Sequence, residues 1–570
     1  MKQIFPSYMW LSGYDKSTLL SDFTAAVVVT VLLIPQSLAY ALLAGVPVEV
    51  GLYASIFPLI LYACFGTSRT LSVGPVAVLS LMTASTLGSL VEQGLTDYVN
   101  GAITLALLSG LFLSLMGVLR LGFLANFLSH SVISGFISAS GILIALSQLK
   151  HIFGVRAHGD TLFELVPSIW SQIPTANLAT MVLGFTTLIF LFSVKRYAKN
   201  FFLKINLNKK LASSLAKAAP ILGVVVGVAL VALFNLDQQG VAVTGEIPTG
   251  LPRFSLSLPT VELIKALWFP ALLLSVIGYV ESISVGKTLA GKRGQKIDPN
   301  QELLGLGAAN IASAISGGMP VTGGFSRTVV NFEAGAVTQL SSIMAAVGIA
   351  LAAMFLTPLL YFLPKALLAA TIIVAVMGLL DFSIIKHTWR FDKRDFYAVL
   401  ATILLTLAFG VEVGVACGVA LSLVLFLYRT ASPHIAEVGL IDGSEHFRNV
   451  KRFHTTHAPQ ILSVRPDESL FFANASALEN YIQQKVFEHD EISHVVLMCS
   501  AVNDIDFSAL EMLEMMNRQL SAQGISLHLS EVKGPVMDKL KRSGFLHHLS
   551  GEVFISQFQA YSHVSGLINK

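Results

Sequence analysis

A few polar residues stand in apolar surroundings where their chemistry would count. Arg327 closes the run Ser316-Gly317-Gly318-Met319-Pro320-Val321-Thr322-Gly323-Gly324-Phe325-Ser326. A guanidinium stays charged at any working pH. Held among apolar residues in a membrane it is costly, and it marks either a pathway or an ion pair. It would therefore select anions, or it would pair with Glu333 on the same segment. Ser326 beside it offers a hydroxyl. Glu281 ends the uncharged run Ala266–Val280. An apolar environment disfavours the charged form of a carboxylate, so Glu281 can gain and lose a proton and couple proton movement to anion movement. The alternative is a fixed counter-ion, for Arg327 or for a sodium ion. Gln36 and Tyr40 lie one helical turn apart on one face, where they line a pocket or simply pack. Glu412 falls between two apolar runs and is expected in a loop.

Farther along, Asp504-Ile505-Asp506-Phe507-Ser508-Ala509-Leu510 follows a strand pattern and opens a helix pattern. Asp506 or Ser508 would cap that helix. A serine there can also accept a phosphate, because a helix N-terminus favours negative charge. His454 and His457 flank two threonines and read as solvated strand residues rather than metal ligands. The three cysteines, Cys64, Cys417 and Cys499, show no CxxC spacing, so neither a disulfide framework nor a zinc site is expected. No GxxxxGK[ST] loop and no nucleophile elbow are present, which argues against an ATP-driven pump or a hydrolase. No cofactor or metal is expected, and no enzyme activity.

The elements that must position these residues are membrane segments. The chain has 570 residues, 54% hydrophobic and 12% charged, where a soluble domain carries roughly 25% charged. The net charge of +3 is no nucleic-acid signature. Long stretches hold no Asp, Glu, Lys or Arg: Phe23–Val48, Leu71–Val91, Gly101–Leu119, Leu121–Leu149, Thr175–Val194, Ala218–Leu236, Ala334–Leu363 and Val413–Tyr428. Shorter runs lie at Gly51–Gly66, Ala266–Val280, Leu303–Gly318, Ala366–Leu380 and Phe396–Gly410, with one more segment around Phe325–Gly335. Since a crossing takes about 20 residues, the reading is about 14 segments. No signal peptide is expected, for want of a short apolar core with a small-residue cleavage site. Basic clusters at Lys195–Lys210, Lys287–Lys296 and Lys386–Arg394 follow the sixth, eighth and twelfth segments. Positive charge in short loops stays cytoplasmic, so both termini are expected inside.

Two segments are broken. Ser72-Val73-Gly74-Pro75-Val76-Ala77-Val78 and Ser316–Arg327 carry Gly and Pro within apolar sequence. Irregular backbone at membrane depth persists only against protein or a watery cavity. Each break starts a short helix inside the membrane, whose free N–H groups suit an anion. Gln36 lies about 38 residues before Gly74, and Glu281 about 43 before Gly324, so each half has a long helix with one polar residue and then a break. About seven segments separate the breaks, and an odd number inverts the second copy, a transporter design. Close packing of small residues is the plainer alternative.

Near Tyr428 the composition changes. Strand patterns at Ile461–Arg465, Ser469–Phe472, His494–Cys499 and Ile525–Ser530 alternate with helix patterns at Ala475–Glu488, Ser508–Ala522 and Gly534–Ser543. That alternation predicts a small α/β domain. The expected division is a membrane domain over 1–430 and a soluble domain over 437–563.

Several segments resemble the SulP anion transporter family: Ile34-Pro35-Gln36-Ser37-Leu38-Ala39-Tyr40, Gly51-Leu52-Tyr53-Ala54-Ser55, Gly66-Thr67-Ser68-Arg69 and Ser72-Val73-Gly74-Pro75. Asp298-Pro299-Asn300-Gln301-Glu302 and Pro320-Val321-Thr322-Gly323-Gly324-Phe325-Ser326-Arg327 are similar to its second-half signature, and the C-terminal region resembles a STAS domain. The resemblance implies seven plus seven inverted segments, divided into core and gate domains. It implies an anion site between the broken third and tenth helices, faced by Gln36, Tyr40, Val76, Ser326 and Arg327. Glu281 matches an acidic position associated with proton or sodium coupling. In anti-sigma-factor antagonists a phosphorylated Ser lies in a motif like Asp506-Phe507-Ser508-Ala509; here Ala509 replaces a Gly and Phe507 a Ser.

The expectation is a multi-pass transporter of the bacterial inner membrane that takes up a small anion, sulfate by preference, with protons, by an elevator movement. Sodium with bicarbonate, and protons with a dicarboxylate such as succinate, are the alternatives within the class. An anion sensor signalling through the STAS domain lies outside it. The resemblance also implies a homodimer and a cytoplasmic partner for the STAS domain.

Overall fold

The computed structural model describes residues 14–126, 129–205, 220–252, 254 and 259–568. The chain divides into two compact units, Met1–Ser422 and Leu423–Lys570. In the first unit the helices are α1 (Lys16–Leu43), α2 (Val48–Tyr53) and α3 (Phe57–Phe65), followed by the short strand β1 (Val73–Gly74). Then come α4 (Ala77–Glu92), α5 (Tyr98–Val118), α6 (His130–Phe153), α7 (Leu162–Gln172), α8 (Leu178–Lys204) and α9 (Pro220–Phe234). The pattern begins again with α10 (Val261–Gly291), α11 (Pro299–Ile315), β2 (Thr322–Gly323), α12 (Phe325–Glu333) and α13 (Leu340–Phe355). It closes with α14 (Lys365–Val376), α15 (Ser383–Phe391) and α16 (Lys393–Phe409), and α17 (Val411–Ala431) runs across the division at Ser422.

Among the described residues, seven helices are long and apolar enough to cross a membrane, and four apolar helices are shorter. The other expected segments are short helices, α11, α12 and α16 among them. Large apolar side chains such as Leu178, Ile189 and Leu233 stay exposed, which suits hydrocarbon rather than water. The run Gly51–Gly66 falls in one of the seven spans, Val48–Phe65, which is built of the two short helices α2 and α3. Of the segment Leu121–Leu149, the first six residues form a 3-10 turn, Leu121–Asn126, ahead of α6. Residues 206–210 of the first basic cluster and 218–219 of the sixth long run lie outside the described residues. The cluster Lys386–Arg394 is largely helical, in α15 and the start of α16, rather than a loop.

The helices pack in two groups. In one, α11 lies against α5 and α3, α10 against α5, and α13 and α12 against α1. In the other, α14 and α16 lie against α6, and α14 also against α8. The first group holds two copies of one motif: a long helix, a shorter helical stretch, a two-residue strand and a half-helix. β1 and β2 pair antiparallel, Val73 with Gly323 and Gly74 with Thr322. That pairing is what an inverted repeat requires.

The second unit is a six-stranded sheet in the order β4-β3-β5-β6-β7-β8. Its strands are β3 (Ile435–Leu440), β4 (Phe447–Asn449), β5 (Ile461–Pro466), β6 (His494–Met498), β7 (Ser526–Ser530) and β8 (Val553–Phe554). β5 to β8 run parallel, while β3 is antiparallel to both β4 and β5. The helices are α18 (Ala475–Glu488), α19 (Phe507–Ala522), α20 (Gly534–Ser543) and α21 (Gln557–Ile568). Val464, Val495 and Leu527 of the sheet pack with Leu478, Ile482 and Met516 of the helices in one buried core. Ser469–Phe472 is not a strand: it makes one bridge, Leu470 with Ile505. Asn474 turns this stretch into α18, its Oδ1 accepting from Phe471 N at 3.0 Å and its Nδ2 donating to Ser469 O at 2.9 Å.

Candidate functional site

The two breaks meet face to face. After β1, α4 starts at Ala77 with Val76 as its N-cap residue, and after β2, α12 starts at Phe325 with Gly324 in that place. Neither helix has a side-chain cap. The first-turn N–H groups of a helix lack partners within it, and here two such ends face one cavity. The cavity, about 40 Å³, is lined by Pro75–Val78, Gly324–Arg327, Gln36, Tyr40, Glu281, Ala375 and Leu379. The six candidate site residues Gln36, Tyr40, Val76, Glu281, Ser326 and Arg327 are therefore brought to one place.

Arg327 is 2% exposed and lies behind the helix ends. Its Nη2 donates to Gly74 O at 2.6 Å and to Thr322 O at 3.2 Å, tying the two broken segments together. Its Nε and Nη1 are buried without a hydrogen-bond partner. The pair with Glu333 is not formed: the arginine spends its bonds on backbone carbonyls instead. The backbone comes close because glycines allow it. A Cβ at Gly324 would stand 2.5 Å from Arg327 Nε, and one at Gly74 2.8 Å from Nη1. Glu281 is half-buried on α10. On its other flank lies a second, apolar cavity lined by Val78, Phe136, Ile277, Val280 and Val419 among others.

Side chains to which the sequence reading gave no role hold the irregular backbone. Asn310 of α11 accepts from Val321 N at 2.9 Å and donates to Val321 O at 2.8 Å. Ser282 of α10 accepts from Gly323 N at 2.8 Å, and Thr322 Oγ1 donates to Gly278 O at 2.5 Å. Thr328 accepts from Ser72 N at 3.2 Å, and Asn331 donates to Thr70 O at 3.0 Å. Gln339 Nε2 bonds Ser68 O at 2.7 Å and Leu71 O at 2.8 Å. Glu302, fully buried, accepts from Tyr62 Oη at 2.7 Å, Thr67 N at 2.7 Å, Thr67 Oγ1 at 2.6 Å and Ser68 N at 3.0 Å. Thus each strand of the break finds partners within the protein, as membrane depth demands. The signal in the sequence was Asn, Gln and Glu inside apolar helices, where each must be paired.

Glu412 is not in a loop. It sits in the first turn of α17 and accepts a hydrogen bond from Thr86 of α4. In the second unit, Asp506 is the N-cap of α19, accepting from Ala509 N at 2.8 Å, and Ser508 is exposed in the first turn. His454 and His457 are exposed, and no group of three or more metal-binding side chains occurs among the described residues. Cys499 is buried, which pushes its thiol up to about 12 and leaves it unreactive.

Comparison with known proteins agrees with this architecture. Residues 19–402 match the model of the sulfate permease family, and residues 452–559 that of the STAS domain. Sulfate transporter 4.1, chloroplastic, of Arabidopsis thaliana is 36% identical over 564 residues, covering 97% of this chain and 81% of that protein. Probable sulfate transporter MT1781 of Mycobacterium tuberculosis is 32% identical over 543 residues, covering 95% and 94%. The solved structure of SLC26A9 superimposes with a TM-score of 0.89 at 24% identity, covering 100% of this chain and 93% of that one. The transmembrane domain of the cyanobacterium bicarbonate transporter BicA gives 0.60 at 21% identity, over 71% and 98%. By its membrane architecture, its second domain and these matches, the chain belongs to the sulfate permease family and carries a STAS domain.

Proposed function

We propose that this protein is a secondary transporter that takes up a small inorganic anion, sulfate first, together with protons. The transport part spans residues 1–430 and the STAS part 437–563. The observation that carries this reading is the convergence of two uncapped helix N-termini on one cavity with Arg327 behind them. Partial positive charge from both helices and the full charge of Arg327, which forms no ion pair among the described residues, favour a divalent oxyanion. Gln36, Tyr40, Val76 and Ser326 are its lining. The relatives named sulfate transporters support sulfate as the first choice.

Glu281 is the proton carrier in this reading. It lines the anion cavity on one side and borders apolar side chains on the other. A hard cation such as sodium takes several oxygen ligands, whereas a proton needs one carboxylate. The group of helices that holds the breaks would move the anion past the group built on α6, α14 and α16, an elevator movement. Both ends of the chain would be cytoplasmic, in the inner membrane of a bacterium.

The test is uptake of labelled sulfate into proteoliposomes with and without an inward proton gradient. Gradient-stimulated uptake is expected, and Glu281→Gln is expected to abolish the stimulation. Unchanged pH dependence in that variant would remove Glu281 from coupling. Uptake of bicarbonate with sodium, or of succinate, in place of sulfate would keep the cavity and change its cargo.

A further inference from the structure

The sheet of the second unit carries a basic pocket that plays no part in the membrane cavity. It is lined by His434, Arg448, Asn449, Arg452, Phe453, Arg465 and Asp467 and has a cavity volume of about 360 Å³. Its walls follow from local sequence. β4 is the edge strand, and alternation along it buries Phe447 and exposes Arg448. After β4 the chain turns sharply over Asn449. Asn449 Oδ1 accepts from Lys451 N at 2.8 Å, and its carbonyl accepts from Arg452 N at 3.0 Å and Phe453 N at 3.1 Å. This turn fixes the backbone that carries Arg452 and Phe453.

The opposite wall comes from the end of β5. Asp467 accepts from Arg465 Nε at 2.6 Å and from the His434 ring at 2.7 Å, and its own N–H donates to His434 O at 3.0 Å. Burial opposes ionisation of Asp467, but the hydrogen bonds from Arg465 and His434 outweigh it and hold the carboxyl below its usual range. One carboxylate cannot neutralise three guanidiniums. Among the described residues, no carboxylate pairs with Arg448 or Arg452. Arg448 Nη1 donates only to the carbonyl of Phe447, at 3.1 Å.

Unpaired guanidiniums converging on a concave site match a dianion with several acceptor oxygens, and bidentate bonds to phosphate are what that fork does best. The volume exceeds what a bare oxyanion fills and lies in the range of small-molecule sites. We propose that this pocket binds a phosphate monoester, with Arg448, Arg452 and Arg465 on the phosphate and Phe453 against the organic part. A soluble phosphorylated metabolite and a phospholipid headgroup share that chemistry. In the chain, His434 stands three residues beyond the end of α17.

The experiment uses the full chain in phosphatidylcholine nanodiscs, titrated calorimetrically with glycerol 3-phosphate. Saturable binding is expected. Arg448→Ala with Arg452→Ala should weaken it by about tenfold or more, while Lys451→Ala, an exposed neighbour outside the pocket, should leave it unchanged. Both alanine sites are exposed, and an unchanged melting temperature verifies the fold. If nanodiscs containing phosphatidic acid abolish the binding of glycerol 3-phosphate, the phosphate is a lipid headgroup; if they do not, it is soluble. Equal affinity in the wild type and the double variant, or no binding at millimolar ligand, overturns the proposal. An equal loss in Lys451→Ala overturns it too, because the patch would then be acting as diffuse charge.

Discussion

Arg327 combines two roles that substitution can separate. It joins Gly74 O to Thr322 O, and it places a positive charge behind two helix ends. Arg327→Gln removes the charge and the planar fork together. A charged hydrogen bond of this kind contributes about 2 kcal/mol, so anion affinity should fall roughly 30-fold, and the melting temperature should fall with it. Arg327→Lys keeps the charge but cannot reach two carbonyls with one fixed plane. We expect it to recover most of the affinity in sulfate-binding titrations while melting as early as the glutamine variant. If lysine were as weak a binder as glutamine, bridging rather than charge would be the arginine's contribution. Arg327 stood out in the sequence as an isolated cation among glycines and apolar residues. Its partners did not, because they are backbone carbonyls distant in sequence, and no side-chain pattern announces them.

The elements show what pattern reading can and cannot reach. Gly and Pro announced the two breaks, since both disfavour helix interiors, and the half-helices α4 and α12 begin where the breaks end. α18 and α20 have the bounds that periodicity gave them. What escaped was the pairing of β1 with β2, two residues each, because a strand that short has no alternation to read. β3, β4 and β8 escaped also. β4 and β8 are only three and two residues long. Glycine at the breaks does more than end helices: at Gly324 and Gly74 it lets the guanidinium touch the backbone. Gly324→Ala puts a methyl group into that contact, and relieving it must move the arginine or the start of α12. Overpacking costs about 1–3 kcal/mol, so both melting temperature and uptake should drop. Gly291→Ala, at the end of α10 with nothing within 4 Å of the added carbon, is the control and should change neither. Normal uptake by Gly324→Ala would mean that the Arg327 contact is not needed during transport.

At the scale of the whole membrane unit, the two packing groups follow from the inverted pattern, and hydropathy disclosed the inversion before any coordinate did. Hydropathy did not disclose which helices pair, because apolar residues of one helix suit the face of any other. The structure supplies a specific joint between the groups. Thr86, on the half-helix that opens at the proposed anion cavity, donates to Glu412 on α17. In sequence, a single acid between apolar runs has the same appearance in a turn and in a first helical turn, so pattern alone points to a loop at Glu412. If the anion is carried by movement of one group past the other, α4 must slide relative to α17 and this bond must break in each cycle. Freezing the joint then stops transport without touching the cavity. With Cys64, Cys417 and Cys499 replaced by serine, Thr86→Cys with Glu412→Cys should take up sulfate until a short bifunctional methanethiosulfonate links the pair. Uptake should then cease, and dithiothreitol should restore it. Each single cysteine should be indifferent to the reagent. Full uptake by the linked protein, with the link verified by mass spectrometry, would mean that α4 and α17 move as one body, and the anion would have to cross by local gating around a stationary site.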